Sequence, residues 1–146
     1  MSGTQPDASS VAGVLVVDAA NVVGSRPDGW WRDRRAATAA LRDHLAALAH
    51  EGLVLPGAGP APVRPAVVLV AEGRARGLAP AAGVEVVDAP GEGDETIVDV
   101  VAGLAGSAHP GSARRPRVWV ATADRRLRER VRALGAVPVS PRLVRH

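Results

Sequence analysis

A short apolar run ends on an acid at Val14-Leu15-Val16-Val17-Asp18. Aliphatic residues without polar alternation are typical of a strand that is buried on both faces, as in a parallel sheet. The arrangement recurs where Ala66–Val70 precedes Glu72 and where Arg117–Thr122 precedes Asp124. Ligands of open parallel sheets collect outside the carboxyl ends of the strands. We therefore expect these acids to lie together in the fold, although they are far apart in sequence.

The rest of the chain alternates helical and strand-like segments. Leucines at helical spacing predict a helix over Asp33–Glu51, which Gly52 closes. Further helices are predicted over 94–104 and 125–134, and further strands over 84–87 and 136–139. This alternation predicts an α/β fold with a mostly parallel sheet of four to five strands and helices on both faces.

Length and composition indicate one ordinary domain. The 146 residues are 47% hydrophobic, which is enough to bury a core without disulfides or structural zinc. We expect a polar, flexible tail over residues 1–10 and a single domain over 11–146. Cysteine is absent, and the four histidines show no metal-ligand spacing, so any bound metal would have oxygen ligands.

Charge and hydropathy suggest a cytoplasmic protein with a basic C-terminal quarter. No apolar stretch approaches the ~20 residues that cross a bilayer, and the first ten residues lack the basic start of a secretory signal. Residues 1–113 carry eight arginines against thirteen acids, whereas residues 114–146 carry ten against two. The C-terminal quarter is suited to phosphates, although a GC-rich coding sequence explains the arginine abundance equally well.

Several acids are expected at one edge of the sheet. The strand-end acids are Asp18, Glu72, Asp88 and Asp124. Asp94 joins them as the expected N-cap of a helix that follows Gly91-Glu92-Gly93. At about 100° per residue, Asp94 lies toward the face of this helix that meets the sheet, whereas Glu95 and Asp99 lie nearly opposite.

Such a cluster has an energetic consequence. Two carboxylates ~4 Å apart repel by roughly 4 kcal/mol at an effective dielectric constant near 20. Some of the acids protonate, or they sit farther apart with water between them, or a divalent cation neutralises them. The natural use of a cation held in this way is phosphodiester chemistry.

Three segments resemble the acidic motifs of NYN domains, which are a branch of the PIN-like nuclease superfamily. They are Val16–Gly24, Gly93–Val98 and Ala121–Leu127. Their order and spacing match over roughly residues 11–137. The resemblance implies a three-layer Rossmann-like fold and a metal-dependent endoribonuclease that uses Mg²⁺ or Mn²⁺ to hydrolyse RNA.

The resemblance also implies roles for individual residues. It makes Asp18 and Asp124 metal-binding and catalytic carboxylates, and Asp94 the catalytic, metal-binding acid that the helix contributes. Asn21 and Thr122 become supporting residues that bond water or phosphate. Many relatives carry an aspartate directly at the end of the second strand, whereas here Ala71 intervenes. The fourth metal ligand is therefore left open, and the candidates are Glu72, Glu95, Asp99 or none.

Plainer explanations exist for the same residues. Asp94 also fits a simple N-cap, and Asp18 and Asp124 also fit loop residues that accept bonds from backbone N–H groups. Glu95 and Asp99 also fit a solvated helix face.

Candidate RNA contacts lie close to the acids in sequence. An aromatic ring beside arginines can stack on a base, which is worth ~1–3 kcal/mol. The predicted RNA-binding residues are Trp30, Arg32, Arg74, Arg76, Arg125 and Arg126. RNA is the expected partner, and a homodimer or a protein partner is left open. Two alternatives to the nuclease are a catalytically degenerate RNA-binding module and a small nucleotide phosphohydrolase.

Overall fold

Five parallel strands form one sheet. In the computed structural model, which describes residues 12–25, 32–105 and 116–145, they are β1 (Val14–Asp18), β2 (Ala66–Ala71), β3 (Val84–Asp88), β4 (Val118–Ala121) and β5 (Val137–Val139). Their spatial order is β3-β2-β1-β4-β5, and every neighbouring pair is parallel. The predicted α/β architecture is confirmed.

Among the described residues, four α-helices cover the sheet and complete three layers. They are α1 (Ala19–Gly24), α2 (Arg34–Glu51), α3 (Gly93–Ala105) and α4 (Arg125–Ala133). Alternate side chains of β1 pack on opposite faces of the sheet, as expected for a strand that is buried on both sides. Leu15 and Val17 pack with Leu41 and Leu45 of α2, whereas Val16 packs in the separate core beneath α3 and α4.

The ends of two helices follow from local chemistry. The Asp33 side chain accepts a hydrogen bond from Ala36 N at 2.9 Å, so the helix predicted from Asp33 has that residue as its N-cap. Gly52 ends the helix with φ +103°, a backbone conformation that favours glycine. The N-cap prediction for Asp94 is wrong, because α3 begins at Gly93 and Asp94 lies within its first turn.

The strand order creates a crevice at the carboxyl edge of the sheet. From β1 the chain moves outward through β2 to β3, and then returns to place β4 on the other side of β1. The connections leaving β1 and β4 therefore diverge, which opens the kind of switch point where α/β sheets bind ligands. Asp18 ends β1 at this position.

Some of the predictions concern residues outside the described ranges, and others concern single residues or segments within them. The predicted tail over residues 1–10 and the predicted RNA contact Trp30 lie outside the described residues. Trp119, predicted in a strand, is buried in the core and donates from Nε1 to Pro56 O at 2.9 Å. Within the described ranges, no helix is long and apolar enough to cross a membrane.

Candidate active site

Asp18 lies at the junction between β1 and α1, where it is 6% exposed. It caps α1, because its Oδ1 accepts from the backbone N–H of Asn21 at 3.3 Å. Its Oδ2 accepts from the hydroxyl of Thr122, a fully buried residue, at 3.0 Å. The register explains this second bond, since Val17 pairs with Ala121 and Asp18 therefore lies level with Thr122.

The segment after β4 is tied to the segment after β1. Thr122 Oγ1 accepts from Asp124 N at 3.2 Å, and Asp124 Oδ1 in turn caps α4 by accepting from Leu127 N at 3.0 Å. The Asn21 side-chain oxygen accepts from Ala123 N at 2.9 Å. The two predicted supporting residues therefore make hydrogen bonds within the protein that hold the two aspartates beside one another.

Glu72 and Asp94 enter the same edge from the β2 side. β2 extends one residue beyond the level of Asp18, which places Glu72 just outside the strand end. The Glu72 Oε2 accepts from Gly93 N, the first residue of α3. A Cβ at Gly93 would come within 3.0 Å of that oxygen, so glycine permits the close approach. Asp94 follows directly in the first turn.

The surroundings of Asp18, including the neighbouring carboxylates, change its pKa. The pKa of Asp18 is raised to about 6. Burial is the largest cause, the hydrogen bonds from Thr122 and Asn21 lower the pKa, and the negative charges of Asp94 and Glu72 add to the increase. The desolvation effect outweighs the two hydrogen bonds.

The pKa of Asp94 is affected by a partly different set of charges, of which Glu72 is common to both acids. Its pKa is also raised, first by burial and then by the charges of Asp124, Glu72 and Glu92, whereas Arg130 lowers it. Asp18, Glu72, Asp94 and Asp124 are called the acidic cluster below.

The other predicted acids have different surroundings. Glu95 is exposed and forms a two-pronged ion pair with Arg130, at 2.7 and 3.1 Å. Asp99 is exposed on α3 and is not among the charges that raise the pKa of Asp18 or Asp94. Asp88 ends β3 and accepts from Gly77 N with both oxygens at 3.1 Å. The structure therefore brings Glu72, and not Glu95 or Asp99, toward the other three acids.

The acidic cluster offers oxygen donors without forming a preassembled metal site. Within the described part of the chain, no three acidic, histidine or cysteine side chains are grouped closely enough to hold a metal ion. The donor set nevertheless suits Mg²⁺ or Mn²⁺, because Mg²⁺ often takes one or two protein carboxylates and completes its shell with water and phosphate oxygens. The ligand set expected from the sequence stays a prediction.

Two arginines of α4 contribute to the site and were not predicted. Arg128 Nη1 donates to Thr122 O at 2.6 Å and to Val139 O at 3.3 Å, which fixes the loop between β4 and α4. Arg130 is the cation that lowers the pKa of Asp94. The signal for Arg128 lay in helical spacing, because it follows Asp124 by four residues and adjoins the buried Leu127.

The predicted RNA-binding arginines lie on both sides of the acidic cluster. Arg125 and Arg126 are exposed at the start of α4, directly after Asp124. Arg74 and Arg76 are exposed in or next to the 3-10 turn Gly73–Ala75 that follows Glu72. This arrangement leaves cations facing solvent beside the acids.

The fold is a three-layer α/β arrangement with carboxylates at the ends of its parallel strands. Rae1 (YacP) from Bacillus subtilis has a similar crystal structure, with 21% sequence identity and a TM-score of 0.63 over 89% of this chain and 70% of that chain. The structure of a tryptophan-to-leucine mutant of Rae1 gives 18% identity and a TM-score of 0.63 over 90% of this chain and 72% of that chain. No protein-family model and no curated protein sequence matches the chain. At this identity the likeness establishes the fold alone.

Proposed function

We propose that this protein is a divalent-metal-dependent endoribonuclease that hydrolyses RNA phosphodiester bonds at the acidic cluster. The proposal depends above all on one observation. Carboxylates from separate segments raise the pKa of Asp18 and that of Asp94 at the topological switch point of the sheet. A strained electrostatic arrangement of this kind, positioned where the fold binds ligands, favours a functional site.

The energetic cost supports a charged ligand. Asp18 is 6% exposed, and the charges of Glu72 and Asp94 oppose its ionisation. Capping of α1 alone would be served as well by asparagine, which carries no charge to desolvate. Retaining ionisable acids at this edge is reasonable when a cation neutralises them during function.

The acidic cluster is the proposed metal-binding site. Asp18, Asp94 and Asp124 would hold Mg²⁺ or Mn²⁺, with Glu72 as the fourth acid. When bound, the cation supplies Lewis-acid polarisation of a phosphoryl oxygen and lowers the pKa of a bound water. The chain itself orients the donors, since Thr122 and Asn21 fix the Asp18 carboxylate and the α4 cap fixes Asp124.

RNA is the proposed substrate because cations flank the acids on an exposed edge. Arg125 and Arg126 lie beside Asp124, and Arg74 lies beside Glu72. Guanidinium groups bind phosphate through paired hydrogen bonds. The resemblance to the three NYN motifs points to RNA among nucleic acids.

Cleavage of defined oligonucleotides tests the proposal. Single-stranded RNA and DNA of the same sequence would be incubated with Mg²⁺, with Mn²⁺ and with chelator. We expect metal-dependent cleavage of RNA that is lost in Asp18→Asn and retained in Glu85→Gln, which removes an equal charge from an exposed position in β3. Cleavage that survives chelation, or that Asp18→Asn leaves unchanged, would contradict the proposal.

A second candidate is an RNA-binding module without catalytic activity. It is favoured by the absence of a preassembled metal site among the described residues and by the existing protein partners of Asp18, Glu72 and Asp124. The same experiment separates the two candidates. Tight RNA binding with no cleavage under either metal identifies the binding module.

A further inference from the structure

Four arginines surround one cavity next to the acidic cluster. The cavity has a volume of about 510 Å³ and is called the arginine pocket; its lining residues are Arg32, Asp33, Arg34, Arg35 and Arg74. It lies between the beginning of α2 and the turn Gly73–Ala75. That turn starts directly after Glu72, so the pocket and the acidic cluster are neighbours along the same connection.

The walls of the arginine pocket are held together by Arg35. Its Nη1 donates to Arg76 O, and its Nη2 donates to Gly77 O at 3.1 Å. These bonds join α2 to the chain that follows β2. The pocket is therefore a feature of the tertiary structure, built from residues about forty positions apart in sequence.

The lining carries an excess of positive charge. Four guanidinium groups face one carboxylate, and Asp33 already uses Oδ1 to accept from Ala36 N. In the portion of the chain that the structure describes, Arg32 and Arg74 have no hydrogen-bond or ion-pair partner and are exposed. Like charges gathered at one concavity raise its positive potential and attract an anion.

The chemistry of the lining selects the kind of anion. The pocket walls consist of charged side chains alone, which suits a hydrated anionic group better than a nucleobase. Guanidinium forks match the oxygens of phosphate and carboxylate, and the nearby N-terminus of α2 adds a positive dipole end.

We propose that the arginine pocket binds a phosphate of the RNA and so holds the strand against the acidic cluster. This inference rests on the proposed function, since it takes RNA as the ligand. The phosphate is either a 5′-terminal monophosphate or an internal phosphodiester. Both have the same oxygen chemistry, and they differ in charge.

RNA binding in the presence of chelator tests the pocket without cleavage. Fluorescence anisotropy would measure the dissociation constant of single-stranded RNA, with a 5′-phosphate or a 5′-hydroxyl, over a range of salt concentrations. The test variant is Arg32→Gln with Arg74→Gln, which removes the two arginines that lack partners. The matched control is Arg64→Gln with Arg132→Gln, which removes two exposed arginines at the opposite edge of the sheet.

We expect the test variant to bind RNA about tenfold more weakly or worse, and the slope of log affinity against log salt to fall by about 1. If the wild type prefers 5′-phosphorylated RNA and the test variant loses this preference, the pocket holds the terminal phosphate. If affinity falls equally for both RNAs, it holds an internal phosphodiester. Equal affinity and slope in the test and control variants, or no RNA binding by the wild type, would overturn the inference.

This result is separable from the nuclease proposal. Weak binding by the test variant, together with no metal-dependent cleavage by the wild type, removes the nuclease and leaves the phosphate pocket. Metal-dependent cleavage by the wild type, together with unchanged affinity in the test variant, removes the pocket and leaves the nuclease.

Discussion

Replacing Asp18 by asparagine is expected to stabilise the protein increasingly as the pH rises. Burial raises the pKa of Asp18 from its ordinary value of 3.8 to about 6 in the folded state. The folded protein therefore holds the carboxyl proton more tightly than the unfolded chain does. The stability associated with this proton is fully present below pH 3.8 and is lost as the pH rises through about 6.

The magnitude follows from the pKa difference. One pKa unit corresponds to about 1.4 kcal/mol, so the wild type loses about 1.5 kcal/mol of stability by pH 5, where the unfolded chain ionises first, and about 3 kcal/mol by pH 8, where both states are ionised. Asparagine carries no such charge. Its oxygen can accept from Asn21 N and its amide can donate to Thr122 Oγ1, but the Thr122 hydroxyl then loses its acceptor at this position. The cost of that lost hydrogen bond is the same at every pH, so it leaves the pH dependence of the difference unchanged.

Urea unfolding followed by far-UV circular dichroism measures the effect. With chelator present, the free energy of unfolding of Asp18→Asn minus that of the wild type should grow by about 1.5 kcal/mol between pH 5 and pH 8. The control Glu85→Gln removes the same charge from an exposed position and should show a flat difference. An Asp18→Asn variant that is no more stable at pH 8 than at pH 5, relative to the wild type, would refute the reasoning.

Three further predictions concern the same architecture. Thr122→Val removes the hydroxyl that lowers the pKa of Asp18, so the acidic limb of the pH profile of RNA cleavage should move to higher pH. The control Thr38→Val removes a buried hydroxyl that donates to a backbone carbonyl in α2, and it should leave this limb in place. Mg²⁺ should raise the melting temperature of the wild type more than NaCl of equal ionic strength does, and Asp94→Asn should reduce this effect; equal shifts would speak against metal binding. Leu45→Ala, at a position with 0% exposure, should lower the free energy of unfolding by about 2–5 kcal/mol in urea titrations, and a loss below 1 kcal/mol would contradict the packing of α2 on the sheet.

Local sequence patterns predicted most of the secondary structure. β-Branched runs and leucines at helical spacing predicted all five strands and the three longer helices to within a few residues, because burial on both faces leaves a strong pattern in a parallel sheet. The Asp94 cap was misplaced by local reasoning, because a glycine-flanked acid resembles an N-cap wherever the helix actually begins.

The candidate site was only partly visible in the sequence. Helical phase correctly placed Glu95 away from the sheet, and the structure shows it exposed and paired with Arg130. The fourth acid was left open, since the side-chain direction of Glu72 depends on where α3 begins and on the absence of a side chain at Gly93.

The order of strands in space decided the rest. The sequence alone shows that acids follow predicted strands, because hydrophobic patterns and turn residues are local features of a chain. Placing β4 beside β1, which joins Thr122 to Asp18, requires contacts across more than a hundred residues. The arginine pocket has the same origin, since Arg35 and the turn after Glu72 meet only when α2 packs on β2. Such tertiary contacts depend on how whole helices and strands bury their apolar faces, and no local sequence pattern predicts them.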